Sequence, residues 1–281
     1  MKSSIDSNGW TLTIHENIGD LDKVQLHEVA RLCNKHYVVV FRNQDLTIQD
    51  QMRVASSIGA VKLNHGRDDA ERERIMIEPG VIRVTGELNA KGEKGLFGHD
   101  EELDWHTHHA NAVKRYPFVW LYAVKGSRGS RTSWINQEMA FKDLPESMQK
   151  ELEGIKYASG YKVGSFSDMA VAKEKINYEN PINLVHTNKE GKKGLYFPFQ
   201  QVYDIVEGAT KEQWKELHRF LKSHCTQEKY IYHHDWQDKD LVISEQWLSI
   251  HKRWQFAGME NRLLHRIAFD YDKAYTKEVA R

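Results

Sequence analysis

The chain has 281 residues, enough for one large domain with a sizeable core. Its 40 basic residues balance 40 acidic ones, which excludes the strong positive field of a general nucleic-acid or membrane-surface binder. Two cysteines, Cys33 and Cys225, are too few for a disulfide framework, so a reducing compartment is expected.

Residues 1–6 lack the apolar core of a signal peptide, and no apolar run approaches the ~18 residues of a membrane span. The expectation is a cytoplasmic protein with no nucleic-acid or membrane partner. Residues 10–14 read as a first strand. Asp20 and Asp22 then cap a helix with an apolar stripe of Leu21, Val24, Leu26, Val29, Leu32 and Cys33. The β-branched run 37–41 reads as a buried strand. Thr47 caps a helix over 48–57, which Gly59 ends. Residues 62–80 read as polar and irregular, their charge run 67–74 forming a solvated loop or short helix. After a strand at 81–84 comes a segment rich in Gly, Lys and Glu, 86–101. With no structure of its own, it reads as a lid.

Further strands are expected at 118–124 and from 131, with a turn at 126–130 between them and a helix over 137–152 behind. Residues 160–183 read as a polar insertion. Residues 184–186 and 194–197 bracket a hairpin turn, and 210–224 form a helix with Trp214, Leu217 and Leu221 on one face. Strands at 229–234, 240–243 and 263–269 complete the chain. There is no repeat, no low-complexity segment and no domain boundary. Many short strands with a few helices predict one mainly β domain over 1–281 with flanking helices, its two sheets packed as a jelly roll.

The chemistry centres on His106-Thr107-His108. In an extended strand, His106 and His108 share one face and Trp105, Thr107 and His109 the other. Two imidazoles on one face make a two-point grip for a transition metal. The best third ligand is His251, in Ser249-Ile250-His251-Lys252-Arg253. For an isolated H-x-H, ordinary surface or hydrogen-bonded core histidines are the commoner outcome.

Other segments carry a resemblance. Residues 38–47, Trp105-His106-Thr107, the 129–134 turn and strand, and the hairpin His186…Gly191…Leu195-Tyr196 are its first half. His234-Asp235-Trp236, Asp240-Leu241-Val242, His251 and Arg262-Leu263-Leu264-His265-Arg266 are its second. In order and spacing, and over most of the chain, these pieces resemble the taurine dioxygenase / 2,4-dichlorophenoxyacetate dioxygenase family of iron(II)- and 2-oxoglutarate-dependent oxygenases.

The resemblance implies a double-stranded β-helix fold, Fe(II) and 2-oxoglutarate as cofactors, and a small-molecule substrate oxidised with molecular oxygen. It implies that His106 and His251 are metal ligands. Arg262, eleven residues after His251, is similar to the arginine that pairs with the far carboxylate of 2-oxoglutarate, and Thr132 to the threonine that hydrogen-bonds the same group. Arg266 is similar to a residue that binds an anionic group of the substrate, and His65 to a substrate-contacting histidine. With that pocket implied, Trp105, Phe199 and Trp247 become candidates for its walls, against their equally common role as core aromatics. No catalytic residue beyond the metal site is expected, and the oligomeric state is open, a homo-oligomer included.

The chain departs from the family at one place. Where the family has H-x-D or H-x-E, this sequence has His106-Thr107-His108. Replacing a carboxylate by a neutral imidazole leaves the metal one unit more positive. Chlorinating relatives place a small residue here to admit chloride, and a ligating histidine leaves no such room. Three histidines are also the ligand set of a zinc hydratase. Two alternatives therefore stand beside the three-histidine oxygenase. One is a metal enzyme that does not use 2-oxoglutarate, either a cofactor-independent oxygenase or a zinc hydrolase with three histidine ligands. The other is a non-catalytic binding relative. Thr132, Arg262 and Arg266, which a hydratase has no reason to keep, favour the oxygenase.

Overall fold

The computed structural model describes residues 1–65, 68–108, 116–160 and 176–270. Among these, a nine-stranded sheet runs in the order Ser3–Ile5, Leu12–Ile14, Val38–Phe41, Leu241–Glu245, Phe118–Lys125, Leu263–Asp270, Val81–Thr85 and Met76–Glu78, with Ala60–Val61 paired to Leu263–Asp270. A four-stranded sheet runs Ile231–Asp235, Arg131–Asn136, Ser249–Arg253, Leu103–His106. All pairs in both are antiparallel except Leu12–Ile14 with Val38–Phe41.

Period-two alternation sorts the side chains into layers. On Phe118–Lys125, Phe118, Trp120 and Tyr122 join one core, packed beneath the helices Lys23–His36 and Ile48–Ile58. Val119, Leu121 and Ala123 join another, which also holds Trp134 and Tyr232 of the four-stranded sheet. The two sheets therefore face each other across this second core. The outer face of the smaller sheet, with Trp105, Ile135, Ile231 and Ile250, is covered by residues of the helices Gln137–Lys142, Glu146–Glu153 and Lys211–Cys225. Strands buried on both faces need apolar side chains at every position, hence the unbroken run 118–123.

The expected helix starts hold. Asp22, Thr47 and Thr210 each cap a helix in a reciprocal capping box, with Gln25, Asp50 and Gln213. The single helix expected over 137–152 is instead two, Gln137–Lys142 and Glu146–Glu153. Pro145 sits at the second N-cap, where it disfavours helix at the residue before it and has no N–H to donate. Residues 62–80 contain a helix, Asp69–Ile75, capped by Asp68, and the strand Met76–Glu78. Of the expected insertion, 161–175 lies outside the described residues, while Asn177–Asn183 pairs with Lys156–Ser159 in a small sheet with Val202–Glu207. The hairpin forms as Val185–Thr187 against Lys193–Leu195. No helix among the described residues is long and apolar enough to cross a membrane.

Glu245 ends its strand fully buried, one carboxylate oxygen accepting from the Leu248 N–H at 2.7 Å. Burial pushes its carboxyl up from the ordinary 4.5 to about 8. The folded state then holds a proton that the unfolded chain has already lost. This contribution to stability is complete below about pH 4.5 and is lost as the pH rises through about 8. Glu245→Gln keeps the acceptor and removes the titration. Its melting temperature relative to wild type is expected to climb between pH 6 and pH 9. A pH-independent difference would contradict the burial argument.

Candidate metal centre

The strand Ser249–Arg253 lies between Arg131–Asn136 and Leu103–His106, and its register sets His251 opposite both Trp134 and His106. Because Ile250 faces the helices, His251 must face the space between the sheets. The His106 and His251 rings lie 4.1 Å apart, His108 and His251 4.6 Å, and His106 and His108 5.7 Å between centroids. The nitrogens these rings offer all lie within 4.8 Å of one another, a spacing that small ring rotations bring within the span of one ion. Histidines from distant parts of the chain thus form one cluster.

The electrostatics suit a metal. His106 Nδ1 lies 2.7 Å from the Asp104 carbonyl oxygen. A carbonyl only accepts, so Nδ1 carries the proton and Nε2 keeps its lone pair for a ligand. Burial holds the His106 imidazole down at about 4, and burial together with the neighbouring His106 and Arg266 holds His251 well below the usual range. Both rings are therefore neutral at physiological pH, the state a metal requires. His251 Nδ1 is buried with no hydrogen-bond partner among the described residues. Neutral, converging imidazole nitrogens, one of them uncommitted, fit a first-row divalent ion such as Fe(II).

The H-x-H does not lie wholly in a strand. Leu103–His106 ends at the first histidine, and His108 sits in the turn beyond. His109 falls outside the described residues.

The cavity over the cluster is lined by Thr132, Arg253, Arg262 and Arg266 among polar residues, and by Val84, Phe97, Leu103, Leu121 and Leu264 among apolar ones. Thr132, directly opposite Arg253 in the ladder, accepts a hydrogen bond from Trp236 Nε1 at 2.9 Å. Arg262 is 1% exposed. Among the described residues its guanidinium makes no ion pair, and its Nε has no partner; Nη1 reaches only the Met259 sulfur, 3.8 Å away. Burial, then the charge of Arg253, pushes it down to about 9. Arg266 enters from Leu263–Asp270 beside Leu264 on the same face. His65 is buried within electrostatic reach of Arg266 and is pushed down to about 3 by burial and by that charge. Lys62, in the same group, is pushed down to about 8 for the same two reasons.

The aromatic residues expected as walls are elsewhere. Trp105 packs on Phe199, centroids 6.4 Å apart, in the core under the helices, and Trp247 packs on His186 at 4.5 Å. None of the three lines the cavity. Alternation explains Trp105, since the neighbour of an inward His106 points outward. Leu103 takes the inward place because a bulge sets Arg253 opposite Leu103 while His251 stays opposite His106.

The 86–101 segment is not structureless. Leu96 bridges Val84, Leu88 bridges Lys94, and Phe97 covers the cavity with its ring 6.5 Å from His106. Arg253 ties it down, donating to the carbonyls of Phe97 at 2.7 Å, His99 at 2.6 Å and Glu101 at 2.5 Å. Arg253 and Phe97 were not singled out from sequence. The signal for Arg253 was available: two residues after His251 on one strand means the same face.

A family model described as "Taurine catabolism dioxygenase TauD, TfdA family" matches residues 12–268. The chain is 25% identical over 259 residues to the alpha-ketoglutarate-dependent 2,4-dichlorophenoxyacetate dioxygenase of Cupriavidus pinatubonensis, covering 88% of each. It is 24% identical over 280 residues to pentalenolactone F synthase of Streptomyces avermitilis, covering 90% of this chain and 88% of that protein. Among solved structures, AAD-2 in complex with Mn(II) and N-oxalylglycine superposes with a TM-score of 0.77 at 20% identity, over 96% of this chain and 98% of that one. A taurine dioxygenase from Burkholderia xenovorans superposes with a TM-score of 0.73 at 19% identity, over 93% and 86%. The jelly-roll core is thus shared with these neighbours. With nearly its whole length matched, the chain belongs to the TauD/TfdA dioxygenase family.

Proposed function

We propose that the protein is an Fe(II)- and 2-oxoglutarate-dependent dioxygenase in which His106, His108 and His251 hold the metal. Its substrate is a small molecule carrying an anionic group, oxidised at a C–H bond. The observation that supports this most is Arg262. A guanidinium out of water with no carboxylate partner among the described residues is costly unless an anion joins it. The anion that fits is the far carboxylate of 2-oxoglutarate, which the planar fork of Arg262 can bind bidentately. A site built only for zinc hydrolysis has no use for this group.

The neighbouring residues have complementary tasks. The Thr132 oxygen already accepts from Trp236, which leaves its own O–H to donate to the same carboxylate. Arg266, with His65 and Lys62 close by, offers positive charge to the substrate's anionic group. Phe97 and the segment tied by Arg253 cover the cavity and exclude water. When bound, the metal and 2-oxoglutarate would supply the oxidation with molecular oxygen as the oxidant: one oxygen atom would end in succinate as the keto acid loses carbon dioxide, and the other would oxidise a substrate C–H bond. The relatives named as alpha-ketoglutarate-dependent dioxygenases support the same reading.

One Fe(II) per chain is expected by elemental analysis, with near-complete loss in His106→Ala and in His251→Ala. Full metal content in His251→Ala would remove the proposed ligand set. For the cosubstrate, calorimetry on Arg262→Ala is expected to show 2-oxoglutarate binding weakened by about 2–5 kcal/mol, the cost of severing a buried charge pair. Wild-type affinity in that variant would mean that Arg262 serves the fold alone.

A further inference from the structure

The strand carrying His106 ends two residues before the second histidine, His108. Continued antiparallel pairing would set Thr107 opposite Ile250, but the ladder ends at His106. Thr107 is nevertheless 0% exposed, so its backbone groups cannot turn to water. Two buried glutamines take the place of the missing strand. Gln201 pairs with Thr107 as a strand would, its Oε1 accepting from the Thr107 N–H at 2.8 Å and its Nε2 donating to the Thr107 carbonyl at 2.9 Å. The Gln246 backbone carbonyl accepts from the Thr107 hydroxyl at 2.8 Å, and its side-chain Oε1 accepts from the His108 N–H at 3.2 Å. Gln246 is itself fixed, donating from Nε2 to the Ser244 hydroxyl at 2.8 Å.

We infer that Gln201 and Gln246 are positioning residues that hold Thr107 out of the ladder so that the His108 imidazole turns onto the metal. The inference rests on the proposed role of His108 as a ligand. A regular strand would fix the direction of His108 by pleating alone. Here the chain must leave the strand and still present its ring to within 4.6 Å of His251, and side-chain amides supply the lost hydrogen bonds without imposing the pleat. The device is also used away from the site. Gln137 pairs with the Phe197 backbone through two bonds of 3.0 Å. That second pair provides an internal control, because it stabilises a loop without touching a ligand.

The test is Co(II) titration of the metal-free protein, read as affinity and as visible absorption, with a thermal melt of each variant. His108→Ala, which removes a ligand, is expected to change the absorption band and to weaken binding by more than the roughly 10- to 100-fold typical of disturbing a ligand's supporting partners. Gln201→Met and Gln246→Met keep side-chain length and remove the hydrogen bonds. Each is expected to weaken binding and to move the band towards that of His108→Ala. Combined with His108→Ala they should add no further loss, since they act through that ring. Gln137→Met is expected to lower the melting temperature and leave the band unchanged. If Gln246→Met does not fold, Thr107→Val, which deletes only the hydroxyl contact, carries the same cycle. Glutamine variants that melt lower yet bind Co(II) with wild-type affinity and band, while His108→Ala does not, would overturn the positioning role and leave the three-histidine reading intact. Wild-type binding in His108→Ala would overturn both.

Discussion

Between the two sheets, a guanidinium and neutral imidazoles are withdrawn from water with no carboxylate among the residues lining the space. A charge buried in this way must be neutralised by something, and the protein supplies no anionic partner for Arg262 among its described residues. Much of the architecture near the site follows from that demand. The cavity needs a guest with an anionic end near Arg262 and a donor atom near the histidines. It also needs a cover that keeps water from satisfying the charge instead, and Phe97 with its strapped segment provides one. On the proposed reading, a third neutral imidazole in place of an acid increases the same demand, because the anionic guests would then balance more of the metal's charge.

The geometry that creates this space is simple alternation. One strand, Ser249–Arg253, places His251 and Arg253 on its inner face and Ile250 on its outer face. One strand in the other sheet, Leu263–Asp270, does the same with Leu264 and Arg266 inward and Ile267 and Phe269 outward. The proposed ligand His251, the strap Arg253, the apolar wall Leu264 and the proposed substrate-binding Arg266 thus sit on two strands whose outward residues join the two outer cores.

Much of this was legible in the sequence. Apolar runs such as 118–124 and the cap residues Asp22 and Thr47 identified strands and helix starts because those signals are local. His106, His108 and His251 were legible as a group from chemistry and resemblance, and the structure brings them together. What was not legible depends on exceptions to regular structure or on pairing across long separations. The bulge opposite Arg253 turns Leu103 inward, and no sequence pattern announces it. The helix split at Pro145 could have been read, since a proline inside a helical pattern ends it. Trp105 could have been placed correctly, since the alternation that sends His106 inward sends its neighbour outward. Gln201 and Gln246 could not, because an amide side chain standing in for a strand is visible only once the chain is folded.

The central claim is that an imidazole in the place of the usual carboxylate supports 2-oxoglutarate chemistry rather than abolishing it. Succinate formation and oxygen consumption in wild type, His108→Ala and His108→Asp test this most directly, each protein supplied with Fe(II) and 2-oxoglutarate. The account predicts that wild type forms succinate, that His108→Ala does not, and that His108→Asp binds both cofactors but couples them less well. Succinate from His108→Asp and none from wild type under any condition would contradict it.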